Sequence, residues 1–161
     1  IPHLQPQEKW SGTWIITAFD IPENQRRARN IFRSYLKEKK FGKLQESVWV
    51  SPRQQYQSEI ENLGKMHGLE SFIYTLLTKS IGHISPAQLA ERVWNISALN
   101  KKYQAYIEEY SNTKANRFEG VSSFLALARE DPQLPNELLP AEWKGEKASR
   151  LYSYICGRRP S

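Results

Sequence analysis

The chain has 161 residues, 39% hydrophobic and 25% charged, a globular composition sufficient for one ordinary domain or two small ones. No apolar run approaches the roughly 20 residues that span a bilayer, and the N-terminus lacks the basic-then-apolar pattern of a secretory signal, so no membrane partner is expected. A net charge of +6 favours polyanionic neighbours such as nucleic acid.

Residues 1–11 are polar, carry Pro2 and Pro6, and read as a linker arm. Trp14 to Phe19 is short, β-branched and aromatic and stops at Asp20-Ile21-Pro22, which marks a buried strand. From Pro22 to Lys40 the period becomes helical. Ala28, Ile31, Phe32, Tyr35 and Leu36 share one face and Arg26, Arg29, Arg33, Lys37 and Lys40 another, and Phe41-Gly42 is expected to end the helix with a stop glycine. Lys43 to Val50 reads as extended, either two short strands turning at Glu46-Ser47 or one longer irregular strand, with two preferred. Ser51-Pro52-Arg53-Gln54 has the form of a helix start, serine as N-cap and proline in the first position. Tyr56, Ile60, Leu63 and His67 keep helical spacing up to Gly68, and Phe72 to Leu77 is the last strand.

Strand, helix, two strands, helix, strand is the split βαβ order of a ferredoxin-like βαββαβ domain, placed at residues 12–82, with an antiparallel sheet and both helices on one face. The other face needs cover, and a second copy of the chain is the simplest, so a homodimer is expected. Beyond it the strand pattern ends. Ser85-Pro86-Ala87-Gln88 repeats the helix-start signal; Leu99, Tyr103, Tyr106 and Tyr110 mark one helix, and Phe118, Val121, Leu125 and Ala128 another. Asp131 to Pro135 breaks the chain, and Ala148, Leu151, Tyr152 and Ile155 mark a terminal helix closed by Gly157. The fold class is therefore α+β, with residues 83–161 forming a small all-helical C-terminal domain.

Asp20 is the first candidate for chemistry, because it ends a central strand. Two copies facing across a dimer would offer carboxylate oxygens to a partly hydrated Mg²⁺ ion. Its spacing from Glu23 is also that of a capping box, in which Asp20 satisfies amides opening the helix, and this reading is preferred because one carboxylate is a poor metal site. The stripe Arg26, Arg29, Arg33, Lys37 and Lys40 would follow a phosphate backbone, or is simply a solvated helix face; the pattern does not choose. Trp10, Trp14, Trp49, Trp94 and Trp143 with Tyr103, Tyr106, Tyr110, Tyr152 and Tyr154 would line an apolar ligand pocket, though packing is preferred for any one of them.

Nucleophilic catalysis finds no support: there is no serine or cysteine elbow and no phosphate-binding glycine loop. His3, His67, His83 and Cys156 lack metal-ligand spacing. The single cysteine cannot make an intrachain disulfide, which fits the cytoplasm. No cofactor is expected to be required. The chain reads as a regulatory piece more than an enzyme, with a Mg-dependent endonuclease as the alternative; ligand-contact residues are not assignable.

With these residues in view, the chain resembles the PaaX repressor family along nearly its whole length. Trp10-Ser-Gly-Thr-Trp14, Phe19-Asp-Ile-Pro-Glu23 with Arg26, Arg27 and Arg29, Phe41-Gly42, and Leu44-Gln45-x-Ser47-Val-Trp-Val-Ser-Pro52 resemble its middle domain. Asp131-Pro-x-Leu-Pro135, Leu138-Leu-Pro140, Trp143, Gly145 and Ala148 resemble its C-terminal domain. The resemblance implies a repressor of aromatic-acid catabolism genes that responds to an aryl-acyl-coenzyme A such as phenylacetyl-CoA and binds DNA through an N-terminal winged-helix domain. With Met66 the only methionine, the chain is expected to be the downstream part of such a protein, without that domain. The middle domain is in turn similar to CRISPR-associated protein 2, a ferredoxin-like dimer that binds DNA and in some members cleaves nucleic acid with a metal. Asp20 stands where that family has a strand-end aspartate, and Gln45-x-Ser47-Val48 also matches. The helical C-terminal part is foreign to that family.

Overall fold

The computed structural model describes residues 8–157 apart from residue 113; residues 1–7 of the expected linker arm, with His3, lie outside the described residues. The chain forms two compact units that divide between Leu89 and Ala90.

The first unit contains β1 (Trp14–Phe19), α1 (Arg26–Glu38), β2 (Gly42–Gln45), β3 (Val48–Ser51), α2 (Tyr56–His67) and β4 (Ile73–Thr78). The sheet order is β2-β3-β1-β4 with every neighbouring pair antiparallel. This is the expected ferredoxin-like sheet, with two short strands joined at Glu46-Ser47 and a register shift between Lys43 and Gln45. Alternation along β1 sends Ile15, Thr17 and Phe19 to one face, where Ile15 and Phe19 join Trp49, Phe32, Leu36 and Ile60 in the core, with Ile73 packed against them. Both helices therefore lie on that face. Phe19 and Phe32 meet edge to face at 5.0 Å, which pins α1 to the central strand.

Two local expectations give way to closer chemistry. Gly42 does not stop α1. Lys40 takes the left-handed position (φ +61°) while Phe41 N–H donates to the Leu36 carbonyl and Lys40 N–H to that of Lys37, the double bond of a Schellman end. Gly42 instead opens β2, paired with Val50. Ser51 is not a helix N-cap: it is the buried last residue of β3, its Oγ accepts from Arg53 N at 3.2 Å, and α2 starts only at Tyr56. The end of α2 is as expected, with Gly68 left-handed at φ +66°.

The second helix start holds. Ser85 Oγ accepts from Gln88 N at 3.2 Å while Gln88 Oε1 accepts from Ser85 N at 3.0 Å, a reciprocal capping box that opens α3 (Pro86–Trp94). The second unit carries α4 (Ile96–Tyr110), α5 (Arg117–Glu130) and α6 (Gly145–Ile155). Leu99, Tyr103, Tyr106, Ile107 and Tyr110 of α4 meet Phe124 of α5 and Ala148 and Tyr152 of α6 in one core, with Phe124 stacked on Tyr152 at 4.4 Å. Asn116 caps α5 by accepting from Phe118 N and Glu119 N. Phe118 leaves the expected apolar stripe: it is 78% exposed, and the inward residue of that turn is Gly120.

Candidate functional site

The C-terminal end of β1 is built from backbone first. Phe19 N donates to the Ser47 carbonyl and Asp20 N to that of Phe72, so the loops after β2 and before β4 fix where Asp20 leaves the sheet. Its side chain is exposed. The capping-box reading is not realised: the 3₁₀ turn Glu23–Gln25 has Pro22 at its N-cap and no side-chain cap bond. Glu23 turns instead to Arg29, whose guanidinium donates to its two oxygens at 2.9 and 3.4 Å. Hydrogen bonding from Arg29, and then its charge, hold the Glu23 carboxyl below the usual carboxylate range. Among the described residues no three His, Cys, Asp or Glu side chains come together as metal ligands. Asp20 alone thus fits Mg²⁺ poorly, and a second carboxylate would have to come from another molecule.

The basic stripe does lie along one face of α1, but its members differ. Arg26 and Lys37 are exposed, whereas Arg29 is tied to Glu23. Arg33 lies 6.0 Å over the Phe19 ring, and the Nε atoms of Arg29 and Arg33 are buried without a hydrogen-bond partner among the described residues. Lys40 holds the left-handed helix end. Only Arg26 and Lys37 are presented to a polyanion as freely as the pattern suggested.

The remaining feature of the sheet is the face turned away from α1 and α2. Register places Tyr74 beside Ala18 and Val48, and Leu76 beside Ile16 and Val50, in two cross-strand rows. Val50 and Trp14 on this face are buried, and Trp14 meets Trp10 edge to face at 5.0 Å. Toward β4 the apolar surface opens, with Tyr74 65% and Leu76 47% exposed. Sequence reasoning expected a face in need of cover without naming these two residues. Their signal was the period of two in β4, where Ile73 and Thr75 point to the core and Tyr74 and Leu76 away from it.

The aromatic residues divide as packing predicts. Trp49, Tyr103, Tyr106, Tyr110 and Tyr152 are core members, and Trp143 packs edge-on to Tyr103 at 5.4 Å. Burial raises the phenols of Tyr35, Tyr103 and Tyr106, reinforced in Tyr35 by the Glu59 carboxylate and in Tyr103 by that of Asp131. Tyr154 is the exception, at 73% exposure. No described helix is long and apolar enough to cross a membrane.

Comparison with known proteins follows the same division of the chain. Residues 7–93 match the family model of the PaaX protein central Cas2-like domain, and residues 94–159 that of the PaaX-like protein C-terminal domain. No curated protein matches the chain. Among solved structures it is similar to "Uncharacterized protein Rv0674 from Mycobacterium tuberculosis", with a TM-score of 0.72 at 23% identity. That likeness, which speaks for the fold alone, covers 94% of this chain and 62% of the other.

Proposed function

The chain belongs to the PaaX family, and from that premise we propose that it is the dimerising, effector-sensing part of a cytoplasmic transcriptional repressor of aromatic-acid catabolism genes. The observation that carries this reading is the apolar face of the sheet, exposed at Tyr74 and Leu76. A second copy laid on it buries both residues twice over in a two-fold contact. The effector is an aryl-acyl-coenzyme A such as phenylacetyl-CoA. Its unequal affinity for two dimer states supplies the signal that a DNA-binding domain in the full-length protein reads. No metal or other cofactor is required for that task.

Sedimentation of the chain is expected to give a dimer, and Tyr74→Glu combined with Leu76→Glu a monomer with unchanged circular dichroism. A stable lone protomer for the unaltered chain overturns dimerisation. Calorimetric titration with phenylacetyl-CoA is expected to saturate; a flat response across related aryl thioesters removes the effector role.

The exposed carboxylate of Asp20, engaged in no hydrogen bond or ion pair among the described residues, supports a second reading as a metal-dependent nuclease. Incubation of DNA and RNA with Mg²⁺ or Mn²⁺ separates it from the first. Absence of cutting, or cutting that survives Asp20→Asn, ends that reading.

A further inference from the structure

We infer that the second unit holds its own binding site for a small arene bearing an anionic or carbonyl oxygen, in the cleft between the α4–α5 turn and the last turns of α6. The cleft has a volume of about 460 Å³, within the roughly 300–1,000 Å³ typical of small-molecule sites. Its two walls differ in chemistry. Asn112, Asn116 and Arg117 line one side, and Leu151, Tyr154 and Ile155 the other. Among the described residues no carboxylate lines it, so the site is complementary to an acceptor or an anion and not to a cation.

The polar groups are half committed in a way that leaves donors for a ligand. Asn112 Oδ1 accepts from Lys114 N at 3.0 Å, and Asn116 Oδ1 from Phe118 N and Glu119 N at 2.9 and 3.3 Å. These bonds fix both amide planes, and among the described residues neither Nδ2 has an acceptor. The Arg117 guanidinium likewise makes no ion pair among the described residues. A planar oxyanion is the natural partner of that set, since guanidinium and amide N–H groups bind it with charge-assisted bonds. The ring requirement comes from the facing wall, where Tyr154 is left 73% exposed above Leu151 and Ile155, an aromatic surface for a second ring to cover.

The back of the cleft is rigid. Tyr110 and Ser123 share a hydrogen bond at 3.1 Å, and Tyr106 donates to the Gly120 carbonyl at 3.0 Å. Gly120 admits Tyr110 and Ile155 so closely that a Cβ there would lie 3.1 and 3.3 Å from their side chains. A preformed site loses little to ordering when a ligand enters.

The inference rests on the effector-sensing reading in one respect, that the arene arrives as an acyl thioester; the free aryl carboxylate offers the same ring and oxygen chemistry. The test titrates the 161-residue chain with phenylacetate, phenylacetyl-CoA and coenzyme A alone, by calorimetry and by amide chemical shifts. Arg117→Glu and Tyr154→Ala alter exposed side chains and keep the core intact. Saturable binding of an arene probe is expected, with shifts centred on the residues that line the cleft. Each substitution is expected to weaken it about tenfold, the loss of one charge-assisted bond or one ring contact. Thioester binding with shifts elsewhere, indifferent to both substitutions, overturns the cleft and leaves effector sensing standing. Phenylacetate binding in the cleft while the thioester does not bind supports the cleft and removes effector sensing. No binding by either arene, or equal binding of coenzyme A alone, overturns the site.

Discussion

Replacing Tyr103 by Phe deletes one oxygen and tests why the Asp131-Pro-x-Leu-Pro135 segment has its form. Tyr103 is 2% exposed and its hydroxyl donates to Asp131 Oδ2 at 2.6 Å, while Asp131 Oδ1 accepts from Gln133 N at 2.7 Å. One carboxylate thus ties the middle of α4 to the chain leaving α5 and holds Gln133 at φ +52°, directly before the buried Leu134. A hydrogen bond to a charged group contributes about 1.5–3 kcal/mol net, and losing the donor leaves a partly buried carboxylate short of a partner. Tyr103→Phe is therefore expected to destabilise the second unit by about 2 kcal/mol. Denaturant titration followed by tryptophan fluorescence reads this, with Trp143, whose ring sits 5.4 Å from Tyr103, one of the five reporting tryptophans. A double-mutant cycle with Asp131→Asn isolates the pair, with a coupling energy above about 1 kcal/mol expected. Coupling below about 0.5 kcal/mol refutes the latch and reduces Tyr103 to a packing residue.

Thr17 lies in the helix-facing layer of β1 at 0% exposure with its Oγ1 lacking any partner among the described residues, so Thr17→Val is expected to raise stability by about 1–2 kcal/mol; a loss on thermal unfolding contradicts this. At Gly145 a Cβ would stand 2.6–2.9 Å from the Trp143 indole, itself packed edge-on to Tyr103. Gly145→Ala is expected to cost about 1–3 kcal/mol of stability in denaturant titration, despite alanine's better helix propensity. Alkaline pH is expected to unfold the chain. The raised phenols of Tyr35, Tyr103 and Tyr106 contribute fully below the ordinary tyrosine value of about 10, and their contribution falls as pH rises above it. Phenolate absorbance should then show these tyrosines ionising together with loss of structure; smooth independent ionisation with structure intact refutes it.

What was legible in the sequence was whatever had a period. The strands of the first unit and its two helices followed from alternation and from the spacing of Phe32, Leu36 and Ile60, and the capping box at Ser85 and Gln88 formed as its residue types require. The same residue types misled at Ser51, which pairs with Ile15 as the last residue of β3, while the helix begins only at Tyr56, beyond the reach of its side chain. Lys40 in a glycine conformation was illegible for a related reason. The need to seat Phe41 beside Leu36 in the core outweighs a left-handed penalty of about 1 kcal/mol. Of the cleft the sequence offered only Tyr110 and Tyr154, within a wider set of aromatic pocket candidates. Its walls come from segments some forty residues apart, joined by helix packing that no local pattern encodes.

The part of the sheet's second face left open toward β4 is the point at which physical reasoning bears hardest on function. A helix-backed antiparallel sheet whose other face meets water ordinarily alternates apolar with polar residues. In β4 the outward positions are instead Tyr74 and Leu76, on the edge strand, where unpaired backbone groups already invite association. Apolar side chains at an open edge are an aggregation hazard unless something regularly lies over them. Ala18, between Tyr74 and Val48 in the cross-strand row, lowers the surface at its centre and gives a facing side chain room to enter. Ala18→Arg would fill that hollow with a charge while leaving the helix-facing core untouched. It is expected to yield folded monomers on sedimentation. A dimer persisting through that substitution places the interface on some other surface of the chain.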